Sequence, residues 1–173
     1  LADDMPYLSR PSLEGGKIQE VTLERSPELA EYIKTLKAAR DSWEKSSNKR
    51  DFPSVPLEIY GLARRAAIDL RLVSPEFPDL PDSKTNAVVR NAFERWQKYP
   101  DTRATQVIFS GYFQSSDGSF NLFKDVKHKL VELGVPEKEI AIIHDYNTDA
   151  ARLSLFAWDR GEYSRTPQVS PSF

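Results

Sequence analysis

A chain of 173 residues with 39% hydrophobic content is long enough to bury one real core, so a single compact body, or one with an appendage, is expected. The formal net charge of -2 gives no global pull toward nucleic acid, so any phosphate contact must be local. The absence of cysteine excludes disulfides, thiolate metal sites and cysteine nucleophiles, and makes zinc and other metals unexpected.

The chain opens Leu-Ala-Asp-Asp-Met-Pro without a basic leader, and nowhere runs the 18 or so apolar residues of a membrane span. The expectation is a cytoplasmic protein with no membrane partner. The leucine start hints at a processed or excised fragment. Pro6, Pro11, Gly15 and Gly16 break any periodicity, and Ile18, Val21 and Leu23 then form a short extended run, read as one strand.

Ser26-Pro27-Glu28 carries a capping hydroxyl, a proline for the first helical position and an acid for the positive first turn. The helix it predicts has Leu29, Ile33, Leu36 and Trp43 on one face and ends near Ser46. A short polar loop leads to a second helix over residues 57–72, with Leu57, Tyr60, Ala63, Ala67 and Leu70 as its stripe and Arg64, Arg65 and Arg71 on other faces. From Lys34 to Arg71 nine Lys or Arg stand against five Asp or Glu, an excess that can follow a phosphate backbone but more often marks a solvated face. Pro75, Pro78 and Pro81 enforce an extended connection. Asp82 or Ser83 can cap a third helix, with Val89, Ala92, Phe93, Trp96 and Tyr99 along its stripe and Pro100 ending it.

The period then changes. Gln106-Val-Ile-Phe-Ser110 and Ile140-Ala-Ile-Ile-His144 have the character of buried strands, and between them Leu122, Val126, Leu130 and Leu133 mark a helix that Ser119 can cap and Gly134 can close. Strand, helix, strand implies a parallel βαβ unit, and a helix capped at Thr148 continues it. The expected fold class is therefore α/β: a lead-in strand and helical region over residues 1–82, an incomplete RecA-like parallel sheet over 83–162, and an irregular tail over 163–173.

Ligands of such sheets collect at strand carboxyl ends, which selects the loop from Gly111 to Ser119 and the segment Asp145 to Thr148. Taken on composition alone, ordinary turn and capping chemistry explains both loops better than a ligand site does. His128 reads as solvated. His144 beside Asp145 reads as a hydrogen-bonded strand end rather than a base. No GxxxxGK[ST], GxSxG or GxGxxG pattern occurs, so no machinery for nucleotide hydrolysis is visible.

The order of residues from Ser83 to Phe113, SKTNAVVRNAFERWQKYPDTRATQVIFSGYF, resembles the entry to the second motor lobe of Swi/Snf-like superfamily-two helicases. The later IAIIHDYNTDAARLSLFAWDRGE looks like that lobe's next unit, with His144, Thr148, Arg152, Phe156 and Gly161 in matching places. Upstream, LADDMPYLSRP, TLERSPELAEYIKTLKA and RRAAIDLRLV look closer still to the large helicase-methylase proteins of phages and plasmids, a link to mobile elements. The resemblance implies a DNA-binding surface at Lys84, Gly111, Tyr112, Ser115, Ser119, His144, Thr148 and Arg152. It implies no catalytic residue and no cofactor for this chain, since ATP and magnesium would belong to a full-length helicase or translocase. The family's continuing Gly-Thr strand and arginine motif are replaced by EYSRTPQVSPSF, so the chain reads as a truncated helicase lobe. The alternative is a non-enzymatic scaffold or interaction module that forms a homo-oligomer through its sheet edge.

Overall fold

The protein's structure, a computed structural model, describes residues 18–47, 49–99 and 105–159. The opening prolines and glycines, Pro100, Gly161 and the tail after it fall outside those residues.

Five α-helices carry the described residues: α1 (Pro27–Lys45), α2 (Val55–Ala66), α3 (Lys84–Lys98), α4 (Leu122–Glu132) and α5 (Asp149–Asp159). The first forms as its sequence dictates. The Ser26 hydroxyl accepts from the Leu29 N–H at 3.1 Å, Pro27 opens the helix, and Glu28 sits in the positive first turn. Leu36 is buried while Leu29, Ile33 and Trp43 are half-buried, so α1 docks by one stripe, against α2. The Trp43 indole donates to the Phe52 carbonyl at 3.0 Å and holds the connecting loop to the helix.

The second helix is shorter than its periodicity predicts. It stops at Ala66, and after a turn Leu70–Leu72 forms one turn of 3-10 helix. The cause is local. Asp69 adopts an extended backbone and its carboxylate accepts from the Arg71 N–H at 3.0 Å, the competition with the helical ladder that Asp commonly supplies. The break turns Leu72 inward, where it is fully buried, whereas Leu57 and Tyr60, expected on the buried stripe, are exposed.

Ser83 caps α3 by accepting from the Asn86 N–H at 3.1 Å. Val89 and Ala92 of α3 meet Leu122, Val126 and Leu130 of α4, and with Leu72 and Val135 they make the core. Helix α4 is capped by Asn121, which accepts from the Lys124 N–H, and not by Ser119. It closes as expected on Gly134, whose φ of 104° favours glycine, while Leu133 is exposed rather than part of the stripe. Thr148 caps α5 through the Ala151 N–H at 3.2 Å.

The expected RecA-like parallel sheet is not there. Among the described residues no strand forms, and the one bridge is an isolated antiparallel pair, Gln114 with Asn121, which closes a turn. Residues 18–26, including the expected first strand, are irregular, with Ile18 and Val21 exposed. The two branched runs fail for a physical reason. A central parallel strand is covered on both faces, but here α3 and α4 pack directly on each other, and the runs lie against that pair by one side chain each way. Ile108 turns toward the core while its neighbours Val107 and Phe109 are 63% and 89% exposed. Ile140 and Ile142 have extended backbones, then Ile143–Asp145 winds into a 3-10 turn. The runs are extended but unladdered.

A polar network fastens the break after α2 to the two core helices. Arg71, only 11% exposed at its side chain, pairs with Asp69 at 2.8 Å, Asp79 at 3.0 Å and Asp125 at 3.0 Å. Lys129 joins Asp125 at 2.9 Å and the Asn86 side chain at 2.7 Å, and pairs with Asp79 as well. Burial pushes the Asp79 carboxyl upward, but hydrogen bonds from Lys129 and Asn86 and the charges of Arg71 and Lys129 outweigh it and hold Asp79 below the usual carboxylate range. The folded value lies below the unfolded one, near 3.9, so this stabilisation is complete above about pH 4 and is lost as acid protonates the folded form. Denaturant unfolding followed from pH 7 downward is therefore expected to stay flat from this group to about pH 4 and then fall. In Asp79→Asn the acid-side fall is expected to be shallower, and an unchanged slope would show that the network does not govern it.

Candidate nucleic-acid interface

The loop from Gly111 to Ser119 is the one expected to offer donors to a phosphate. Its Ser115 and Ser119 hydroxyls are already taken by its own carboxylate. The Asp117 side chain accepts from the Ser115 hydroxyl at 2.6 Å, the Ser119 hydroxyl at 2.7 Å and the Ser119 N–H at 3.1 Å. Those bonds, the one from Ser115 first, hold the Asp117 carboxyl down at about 2. The buried Ser115 hydroxyl in turn accepts from the Phe120 N–H at 2.9 Å, and Gly118 makes the turn at a φ of 76°. Where an incoming anion would need the hydroxyls, an internal anion sits. Ser115 and Ser119 thus shape the loop.

Other expected site residues are scattered by the fold. Lys84 begins α3 and lines a cleft of about 190 Å³ with Arg25, Ser26, Asp69 and Asp82, to which none of the other seven contributes. His144 leaves no strand end and makes no hydrogen bond to Asp145. Its ring stacks on Phe113 and Phe123, with centroids 4.4 and 5.6 Å away, so it packs rather than bonds. Thr148 is a cap, and Arg152 is folded back onto its own turn, donating to the Tyr146 carbonyl at 3.0 Å. Nothing crowds Gly111 within 4 Å of where a side chain would start. The expectation that His128 is solvated holds: it is exposed and lies 3.3 Å from Glu132 one turn on.

Tyr112 has different company. The Arg65 guanidinium lies 4.9 Å from its ring centre and the Arg64 guanidinium 5.5 Å, and Arg64 also lies 5.6 Å from the ring of Tyr60. Helix α2 places these residues: Tyr60 and Arg64 are one turn apart, and Arg64 and Arg65 are in its last turn. Among the described residues neither arginine pairs with a carboxylate, and the Arg65 Nε is buried without a hydrogen-bond partner. Ser110 sets the ring's approach, its hydroxyl donating to the Tyr112 carbonyl at 2.6 Å. Three residues before Tyr112 in the chain stands Phe109, almost wholly exposed.

The result is two tyrosine faces interleaved with two cations that no carboxylate among the described residues meets. Guanidinium over an aromatic ring contributes about 0.5–1 kcal/mol at an exposed site, and the pairing leaves N–H donors free to meet phosphate oxygens. Arg64 and Arg65 escaped the sequence reading because a local basic excess did not separate a bonded arginine such as Arg71 from an unpaired one. The usable signal was the spacing of Tyr60 and Arg64.

Among the described residues no helix is long and apolar enough to cross a membrane, and no group of three metal-ligating side chains forms. No known family's sequence profile, no curated protein and no solved structure matches this chain.

Proposed function

We propose that the chain is a non-hydrolytic nucleic-acid-binding module that meets the sugar-phosphate backbone of DNA at Arg64 and Arg65, with Tyr112 and Tyr60 as the aromatic part of the same surface. The observation that carries this reading is the pair of guanidiniums held on tyrosine faces with no carboxylate partner among the described residues. Other arginines of the chain are engaged differently: Arg40 meets Glu44 at 2.8 Å, and Arg90 donates to the Pro81 carbonyl at 2.8 Å. The resemblance to Swi/Snf-like helicases supports the same surface at Tyr112. Of its other implied contacts, Ser115, Ser119, His144, Thr148 and Arg152 have partners within the fold, and the reading does not depend on them. A chain of this kind would serve within, or beside, a DNA helicase or translocase.

Phosphate contacts release condensed counterions, so affinity must fall as salt rises. Titrating a labelled strand of roughly ten nucleotides at several salt concentrations tests the reading. Binding that weakens steeply and linearly on logarithmic axes is the expected result. Absent or salt-independent binding would remove it.

A further inference from the structure

Phe109 has no reason of stability to be where it is. It is 89% exposed, in an extended run whose intervening residue, Ile108, is packed against the core. Residues 104–116 are also uncharged, and Val107 beside it is 63% exposed. A large apolar ring left in water fits an occupant that covers it, and the chemistry of that occupant can be read from its surroundings. Three residues on, within roughly 11 Å along the chain, Tyr112 carries the two arginines that have no carboxylate partner among the described residues. An apolar peptide would leave those cations unanswered. A paired duplex would answer them but would keep its base faces stacked inside, out of reach of the phenyl ring.

We infer that this surface takes a single strand, with Phe109 as the platform on which an unpaired base stacks while Arg64 and Arg65 hold the neighbouring phosphates. The inference rests on the nucleic-acid reading above and narrows its ligand to strands with free bases. Stacking of a base on an aromatic side chain tolerates any sequence, because every base has a flat face, so no sequence preference follows. The same segment is exposed enough that Phe109 can be exchanged without touching the core.

The test compares three probes of equal length: an oligothymidine strand, the same sugar-phosphate chain without bases, and a duplex, each titrated against the wild-type chain, Phe109→Ala, Phe109→Trp and the Arg64→Ala, Arg65→Ala double variant. The oligothymidine strand is expected to bind best. Phe109→Ala should weaken it about tenfold while leaving the baseless chain unaffected, and Phe109→Trp should restore it. The arginine pair should weaken both single-stranded probes. Equal binding of duplex and single strand with no effect of Phe109→Ala, alongside loss in the arginine variant, would overturn the base platform and leave the phosphate reading standing. No binding of any probe would overturn both. If light scattering instead shows a dimer that Phe109→Ala dissolves while strand binding is unchanged, the ring belongs to self-association and the inference fails.

Discussion

Replacing Arg71 with methionine is expected to cost about 3 kcal/mol of folding free energy, the largest effect of any single change outside the apolar core. Among the described residues the guanidinium is the only cation that pairs with Asp69, which is 2% exposed, and it shares Asp125 and Asp79 with Lys129. Methionine replaces the bulk but leaves Asp69 without its cation, and leaves Asp79 and Asp125 sharing the single charge of Lys129. Removing one partner of a buried pair is costly for that reason, even where the intact pair is close to neutral. Lysine is a poor rescue, because Arg71 bonds Asp69 and Asp125 through two nitrogens each, a fork a single ammonium cannot copy. The guanidinium also lies 4.4 Å from the Phe120 ring centre, so its loss should loosen the approach to α4 as well. Urea unfolding is the measurement. A loss below about 1 kcal/mol would mean that the network is a surface feature without structural weight.

The second large effect concerns binding. In the Arg64→Ala, Arg65→Ala variant the logarithmic salt slope of strand binding is expected to flatten by roughly 1 to 2, since each phosphate contact on a single strand contributes about 0.7. Affinity at low salt should drop by about ten- to a hundredfold if both arginines reach phosphates. Stability should change little, because neither arginine pairs with an acid among the described residues and Arg64 is exposed. An Arg40→Ala variant is the control. Its guanidinium is occupied by Glu44 on the far end of α1, and strand binding should not notice it. Equal loss in both variants would mean diffuse charge, not a site.

How far the fold could be read depended on whether the signal was local. The Ser26 and Ser83 caps, the Thr148 cap and the Gly134 closure were legible because each is decided within a few residues of itself. The end of α2 was not: the Asp69 turn that ends it is local, but the Arg71 it engages is also bonded by Asp125, 54 residues further on. The two branched runs were misread for a related reason. Their composition is that of buried strands, yet pairing is a property of two segments together, and here α3 and α4 occupy each other's apolar faces. Of the residues expected at a site, Tyr112 alone belongs to the surface proposed above. Ser115, Ser119 and His144 have the right chemistry for ligand contacts, but Asp117, Phe113 and Phe123 satisfy them from within. Arg64 and Arg65 stand out by sharing the Tyr112 ring, a contact across 47 residues or more that is visible only in three dimensions.

The most direct test of the central claim is to map where a strand touches the chain. A single strand carrying iodouracil, crosslinked by light and followed by peptide mass spectrometry, reports residues in contact with bases. The predicted crosslinks fall on Phe109, Tyr112 or Tyr60 and vanish when excess unlabelled single strand competes. Crosslinks confined to the cleft around Lys84 and Arg25, or to the turn at Thr148 and Arg152, would contradict the account.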